Sequence, residues 1–148
     1  MIPEYSLIIA PDNIITSQDL RGKNVVLYFY PKDNTPGCTN ESKDFAKHYP
    51  EFQKANTEIF GISRDSFKSH ANFKAKYNLP FDLVCDQDEK LCKTFDVLWP
   101  KNMFGKIING IVRSTFLIDT HGTLRQEWRK VSVSGHAEAV LKTVYSIT

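Results

Sequence analysis

The chain has 148 residues, of which 41% are hydrophobic and 24% charged, and its formal net charge is +2. These values are typical of one folded domain with a sizeable core, and we expect a single domain over residues 1–148. The charges are interspersed, so no basic face predicts binding to nucleic acid or to a membrane surface. No apolar stretch approaches the roughly 20 residues that span a bilayer, and the N-terminal segment lacks the features of a secretory signal. A cytoplasmic location is therefore expected.

The cysteines give an odd count, without a CxxC pair: Cys38, Cys85 and Cys92. That pattern argues against a disulfide framework and against a dithiol site. The spacing of Cys85 and Cys92, with no histidine pair at ligand spacing near them, gives no support for a zinc site. The histidines are scattered, and we interpret them as surface or packing residues: His48, His70, His121 and His136.

The first elements in the chain are predicted to be strands. Residues 5–16 carry short apolar runs broken by Ala10-Pro11-Asp12-Asn13, which predicts an N-terminal hairpin. Residues 24–30 are apolar at nearly every position and rich in β-branched and aromatic side chains. Continuous apolarity of this kind is typical of a central strand that is buried on both faces.

A helix is predicted to begin directly after this strand. Thr35 suits the N-cap, Pro36 then falls at N1, and Cys38 lies at N3 in the first turn. At the positive end of a helix the macrodipole favours thiolate over thiol by about 0.3–1 kcal/mol. The alternative is that Cys38 is simply a small buried hydrophobe.

The same helix continues with apolar residues at helical spacing, at Phe45, Tyr49 and Phe52. Pro50 falls inside this stripe and is expected to kink the helix or to end its first half.

The middle of the chain predicts alternating strands and helices. A strand at 58–62 is followed by a helix that Ser63 or Asp65 caps, then by a strand at 81–85 and a short helix within 86–95.

The last third is predicted to hold a long connection, a hairpin and a helix. Residues 96–112 are interpreted as a connection, which at this length is usually functional or mobile. Strands at 115–118 and 124–128 then form a hairpin, and a C-terminal helix is predicted with Ser134 as its cap.

This order of elements predicts an α/β fold with a mixed central sheet, helices on both faces and an N-terminal β-hairpin. In such sheets a site lies at the carboxyl ends of central strands, against helix N-termini. Residues 31–38 occupy that place in the predicted order.

The motif Pro31-x-x-x-Thr35-x-x-Cys38, with Glu41 three residues further on and Arg113 just before a late strand, resembles that of the peroxiredoxins. The longer segment Tyr-Pro-Lys-Asp-Asn-Thr-Pro-Gly-Cys-Thr resembles the corresponding sequence of the bacterioferritin comigratory protein, or Q-type, branch. Similarity continues along nearly the whole chain, at residues 61–66, 90–95, 113–118 and 135–136. The resemblance implies a thioredoxin-like fold.

The resemblance also implies a thiol-dependent peroxidase that uses no metal, haem or flavin cofactor. Cys38 would be the peroxidatic cysteine, whose thiolate attacks hydrogen peroxide or a small organic hydroperoxide and becomes a sulfenic acid. Arg113 would stabilise the thiolate and the peroxide oxygens, and Glu41 would orient Arg113. Thr35 would point its hydroxyl at the peroxide, while Pro31 would shield the sulfur from water.

The sequence departs from the pattern of the family that it resembles at the positions that would resolve the sulfenic acid. Lys43 and Lys74 occupy the two positions at which Q-type members commonly carry a resolving cysteine. The favoured interpretation is a one-cysteine cycle, in which an external thiol reduces Cys38. The alternative is that Cys85 or Cys92 reaches Cys38 after the first helical turn unwinds, since a disulfide needs Cα atoms within about 7 Å.

Two other classes of protein stay open at this point. A redox-sensing or chaperone-like protein on the same fold would show little turnover, and the lack of an obvious resolving cysteine keeps that hypothesis open. The combination of Pro31, Thr35, Cys38 and Arg113 argues against the third class, an α/β domain with inert cysteines. The resemblance further implies thioredoxin or a glutathione- or glutaredoxin-type reductant, and a monomer or weak dimer.

Overall fold

The computed structural model describes residues 2–148. No helix in that part of the chain is both long and apolar enough to cross a membrane. The helices are α1 (Pro36–Lys54), α2 (Phe67–Tyr77), α3 (Lys90–Thr94) and α4 (His136–Ile147). The strands are β1 (Ser6–Ala10), β2 (Asn13–Thr16), β3 (Asn24–Phe29), β4 (Thr57–Ser63), β5 (Asp82–Cys85), β6 (Leu98–Met103), β7 (Lys106–Ile111), β8 (Ser114–Ile118) and β9 (Leu124–Trp128).

The central sheet has five strands in the order β5-β4-β3-β8-β9. β3, β4 and β5 run parallel, whereas β8 pairs antiparallel with both β3 and β9. β1 and β2 form a separate antiparallel hairpin at the N-terminal end. The predicted mixed sheet and N-terminal hairpin are therefore confirmed.

Strand β3 lies at the centre of the core, and all of its residues are buried. Val25, Leu27 and Phe29 face an apolar cluster shared with the β1–β2 hairpin and α3. Val26 and Tyr28 face the opposite cluster, which α1, α2 and α4 complete. This strict alternation follows from the two-residue period of a strand and places helices on both faces, as predicted.

Helix α1 begins at Pro36 with Thr35 as its N-cap, as the sequence predicts. It then runs through Pro50 to Lys54, so of the two predicted outcomes at Pro50, a kink or an end of the first half, the end does not occur. A proline inside a helix costs about 3 kcal/mol through the lost hydrogen bond and a steric clash. Phe45 and Phe52 are fully buried on either side of Pro50, and their packing against the sheet holds the two halves together.

Two helix starts differ from prediction. The cap of α2 is Ser66, because Ser63 lies within β4 and its hydroxyl donates instead to the Asp65 carboxylate at 2.6 Å. At the start of α4, the N-cap is Gly135 rather than Ser134. The backbone at Gly135 has φ +74°, a left-handed conformation that glycine adopts without strain.

The stretch predicted as a long connection contains the β6–β7 hairpin instead. Its turn is formed by Phe104 and Gly105, which both have positive φ, as the two-residue turns of hairpins require. The pattern was not readable in the sequence because most of β7 is exposed on both faces and β6 contains Pro100. Because most of β7 is exposed, its apolar residues do not alternate with polar ones.

Candidate active site

Cys38 lies in the first turn of α1, where the chain has crossed from the carboxyl end of β3. The residue is only 1% exposed and packs within the apolar cluster of α1, α2 and α4. Burial of this degree alone would equally suit an inert cysteine. The charged neighbours of the sulfur therefore decide what the site can do.

Arg113 contacts the sulfur directly. It precedes β8, and the pairing of Ser114 with Phe29 brings it to the carboxyl end of β3. Its Nη2 donates to Cys38 Sγ at 3.4 Å, and its Nη1 donates to Glu41 Oε1 at 2.7 Å. A guanidinium at this distance can attract negative charge that develops on the sulfur, which also lies at the positive end of the helix macrodipole.

Glu41 is 1% exposed, and while Arg113 occupies Oε1, the second oxygen, Oε2, has no hydrogen-bond partner among the described residues. Burial raises the pKa of Glu41 to about 7, and Arg113 opposes that rise. Burial alone would lower the pKa of Arg113, but Glu41 and Cys38 raise it further than burial lowers it. The guanidinium therefore stays charged. The ion pair fixes the direction in which Arg113 points.

Gly37 makes room for this arrangement, a role that the sequence did not reveal. A Cβ at Gly37 would lie 3.1 Å from Arg113 Nη2, tighter than nine in ten real Cβ contacts, so the guanidinium would have to shift by a few tenths of an ångström. The only signal in the sequence is a glycine in the first turn of a helix, where alanine would be more favourable by about 1 kcal/mol.

The Thr35 hydroxyl does not cap the helix. It donates to the carbonyl oxygen of Lys32 at 2.9 Å, and no backbone N–H of α1 donates to it. Its lone pairs are therefore available to a ligand. Pro31 is exposed and lies at the bend where the chain leaves β3; its shielding role stays a prediction.

The structure keeps the other cysteines away from this cluster, and all three thiols are free. Cys92 is fully buried in the cluster on the opposite face of the sheet from Cys38. Cys85 ends β5, two strands from β3, and its thiol donates to the Asp65 carbonyl at 3.2 Å. Burial raises the pKa of Cys85 and of Cys92, so neither is a ready nucleophile.

His136 is a buried neighbour of the site, for which the sequence predicted only a surface or packing role. Its Nε2 lies 2.8 Å from Thr115 Oγ1, and its ring meets Phe45 edge-on. Burial, followed by the charge of Arg113, lowers the pKa of His136 to about 4. The unfolded chain therefore binds a proton there more readily than the folded chain between about pH 4 and pH 6.5.

We predict that this difference weakens the fold in acid. The free energy of unfolding should fall by on the order of 3 kcal/mol, from the His136 term alone, as the pH drops from 6.5 to 4. His136→Gln can keep a hydrogen bond to Thr115 but cannot titrate. Urea unfolding at pH 7 and pH 4.5 should show a smaller loss for this variant than for the wild type. The exposed His121→Gln serves as control, and an equal pH dependence in wild type and His136→Gln would contradict the prediction.

Comparison with known sequences supports the family resemblance. The model of the AhpC/TSA family matches residues 1–127. Peroxiredoxin Bcp of Xanthomonas campestris is 58% identical over 120 residues, which cover 81% of this chain and 75% of the relative. Peroxiredoxin Bcp of Bacillus subtilis is 51% identical over 126 residues, covering 85% and 80% of the two chains.

Solved structures agree with the fold. A cysteine-to-serine variant of Xanthomonas campestris peroxiredoxin Q superposes with a TM-score of 0.92 at 50% identity, covering 97% of this chain and 90% of that one. The bacterioferritin comigratory protein of the same organism, described for its alkyl peroxide reduction, gives a TM-score of 0.88 at 52% identity, covering 91% and 86%. The predicted thioredoxin-like peroxiredoxin fold is thereby confirmed. The chain belongs to the AhpC/TSA family, in its bacterioferritin comigratory protein, or Q-type peroxiredoxin, branch.

Proposed function

We propose that this peroxiredoxin reduces hydroperoxides through Cys38 in a one-cysteine cycle. Its family membership makes it a thiol-dependent peroxidase. The assignment of Cys38 rests on one observation: Arg113 donates to the Cys38 sulfur with one nitrogen while Glu41 holds the other. At Cys85 and Cys92, by contrast, burial and then nearby acidic groups raise the pKa of the thiol.

In the first step, the Cys38 thiolate attacks the terminal oxygen of the hydroperoxide. A sulfur–oxygen bond forms, the oxygen–oxygen bond breaks, and its electron pair leaves on the second oxygen, which takes a proton to become water or an alcohol. Negative charge moves from sulfur to that leaving oxygen, within reach of the Arg113 guanidinium. A fixed cation at that place lowers the barrier because it needs no reorganisation.

Thr35 has a defined part in this step. Because its hydroxyl hydrogen is directed to Lys32, the oxygen can accept the O–H of the hydroperoxide and turn the terminal oxygen towards sulfur. Thr35→Val keeps the shape of the side chain and removes the acceptor. We expect it to slow peroxide reduction about 10- to 100-fold, the equivalent of one hydrogen bond to a reacting group, whereas Thr35→Ser stays close to wild type. Stopped-flow rates with hydrogen peroxide measure this; equal rates for the two variants would remove Thr35 from the site.

The second step needs an external thiol in this proposal. Both usual resolving positions hold lysines, which offer no sulfur. Lys43 Nζ lies 5.9 Å from the centre of the Tyr77 ring, and Lys74 Nζ pairs with Asp82 Oδ1 at 2.8 Å. One thiol attacks the sulfenic acid, releasing water and forming a mixed disulfide, and a second thiol then frees Cys38. We propose thioredoxin or a glutathione- or glutaredoxin-type system as the donor. The proposed compartment is the cytoplasm, where such systems keep thiols reduced, and the proposed state is a monomer or weak dimer.

Turnover with purified components tests this function. Peroxide consumption should proceed with thiol reductants alone, without added metal, haem or flavin, and with both hydrogen peroxide and a small alkyl hydroperoxide. If Cys38 is oxidised by peroxide but no thiol system supports turnover, the redox-sensing hypothesis replaces the enzymatic one.

A further inference from the structure

A buried polar cluster lies beside the active-site loop, outside the peroxide chemistry described above. We call it the Asp33 network, formed by Tyr30, Asp33, Asp65, Ser69 and His70. Asp33 is at its centre, within the loop and midway between Pro31 and Thr35 of the motif. It is only 6% exposed, which is unusual for an aspartate.

The carboxylate and the backbone N–H of Asp33 form hydrogen bonds with side chains of other residues in this network. Its carboxylate accepts from Tyr30 Oη at 2.5 Å and from Ser69 Oγ at 2.8 Å, and it lies 2.7 Å from His70 Nδ1. Its backbone N–H donates to the Asp65 carboxylate at 2.8 Å. Asp33 thus ties the loop both to the end of β4 and to helix α2.

The proton on His70 can be placed from its two partners. His70 Nε2 lies 2.9 Å from the backbone carbonyl of Val84, and a carbonyl can only accept, so Nε2 carries a hydrogen. Nδ1 faces the Asp33 carboxylate, and the two side chains are 5% and 2% exposed. The hydrogen bond between Asp33 and His70 therefore lies in a site closed to water, where such a bond is strong.

The next loop residue is also held by α2. Asn34 has φ +60°, a left-handed conformation that non-glycine residues seldom adopt. Its side-chain oxygen accepts from Lys76 Nζ at 3.2 Å and from Tyr77 Oη at 3.1 Å. Helix α2 therefore fixes two consecutive residues just before Thr35, and through them the start of α1.

We propose that His70 is a positioning residue for the peroxide reaction: its bond to Asp33 holds the loop so that Thr35 and the first turn of α1 meet the peroxide correctly. This inference rests on the proposed function of Cys38. His70 acts through Asp33, since its ring nitrogens are engaged by Asp33 and Val84. Misplacing a reacting group by about 1 Å can cost up to about 100-fold in rate.

A metal site is the competing interpretation of the same atoms. Asp33, Asp65 and His70 each offer a ligand atom, and these atoms lie within 4.8 Å of one another. A metal ion would have to break the His70–Asp33 bond. The adjoining cavity, about 370 Å³ in volume, is lined by Lys68 and Lys76, whose charges oppose a cation. The geometry therefore favours the hydrogen-bonded network.

Two substitutions at His70 separate its two bonds. In His70→Asn the side-chain amide can stand where Nδ1 stood and still donate to Asp33, whereas in His70→Gln the longer side chain reaches towards Val84 and leaves Asp33 without that donor. The second-order rate constant for hydrogen peroxide should fall about 10-fold or more in His70→Gln and stay within about threefold of wild type in His70→Asn. His121→Asn, in the exposed turn between β8 and β9 at the other end of the sheet, is the matched control.

Urea unfolding of the same proteins gives the readout that separates positioning from stability. A purely structural role predicts that rate and stability change together and that Asn gives no selective rescue, and this result would overturn the proposal. Equal rates in all His70 variants would overturn it as well. Added zinc that binds at a molar ratio of one and protects His70 from modification would overturn it in favour of the metal site. A wild-type protein that does not consume peroxide would instead overturn the proposed function, and the positioning role with it.

Discussion

Cys38→Ser is expected to reduce peroxide consumption to the rate of solution without protein, while the fold is kept. Serine occupies nearly the same volume in the buried first turn of α1, so packing changes little. Its hydroxyl is not ionised near neutral pH and cannot be oxidised by peroxide, so the nucleophile and the sulfenic acid are both lost. Peroxide consumption with dithiothreitol measures the activity, and circular dichroism checks the fold.

Cys85→Ser is the matched control for this experiment. The substituted hydroxyl can still donate to the Asp65 carbonyl, as the thiol of Cys85 does. In a one-cysteine cycle this control keeps wild-type turnover. Substantial activity in Cys38→Ser would refute the assignment of the nucleophile, whereas a loss in Cys85→Ser alone would show that Cys85 takes part in resolution.

The second large effect is expected at Arg113. Arg113→Ala removes the cation from the sulfur and should slow peroxide reduction about 100-fold or more, the usual effect of deleting one charge-stabilising donor. It also leaves Glu41, 1% exposed, as a buried carboxyl without its partner. Breaking a buried ion pair from one side is costly, so stability should fall by about 3 kcal/mol.

A double variant separates these two consequences. Adding Glu41→Gln to Arg113→Ala removes the stranded charge, so the free energy of unfolding should recover while the rate with peroxide stays low. Iodoacetamide alkylation of Cys38 at pH 7 should also be slower in both variants, since the guanidinium that favours the thiolate is gone. An unchanged peroxide rate in Arg113→Ala would remove Arg113 from the chemistry.

Local physics predicted a large share of the fold and the place of the site. Uninterrupted apolarity identified β3 as the central strand, and Thr35 followed by Pro36 marked the start of α1. Both signals are local, because a buried strand and a helix cap are each recognised from a few consecutive residues. The position of Cys38 at the carboxyl end of β3 follows from these two elements alone.

The partners of the site could not be predicted in the same way. Arg113 is 75 residues from Cys38, and only the resemblance to a family, not any local pattern, singled it out. The contact depends on the register between β3 and β8, which a single sequence does not encode in readable form. The Asp33–His70 bond spans 37 residues and was missed for the same reason, since a lone histidine in a helix resembles an ordinary packing residue.

The β6–β7 hairpin and the course of α1 past Pro50 show a different limit. In the hairpin, residues 106–108 are exposed on both faces of β7, so these residues carry no periodic signal, and the cue in the sequence was the glycine at the turn. At Pro50 the local rule predicted a kink or an end of the helix, and the helix does not end there because Phe45 and Phe52 are packed on both sides of the proline. Tertiary contacts decide both cases.

The central claim, a one-cysteine cycle at Cys38, is tested most directly by mass. The fully reduced protein is treated with about one equivalent of hydrogen peroxide in the absence of other thiols, and the intact mass is measured before peptide mapping. We predict a product one oxygen atom heavier, or further oxidised, with the added oxygen on Cys38. A product two hydrogen atoms lighter, with Cys38 joined to Cys85 or Cys92 in one chain, would contradict the account and establish a two-cysteine cycle in which the first turn of α1 unwinds.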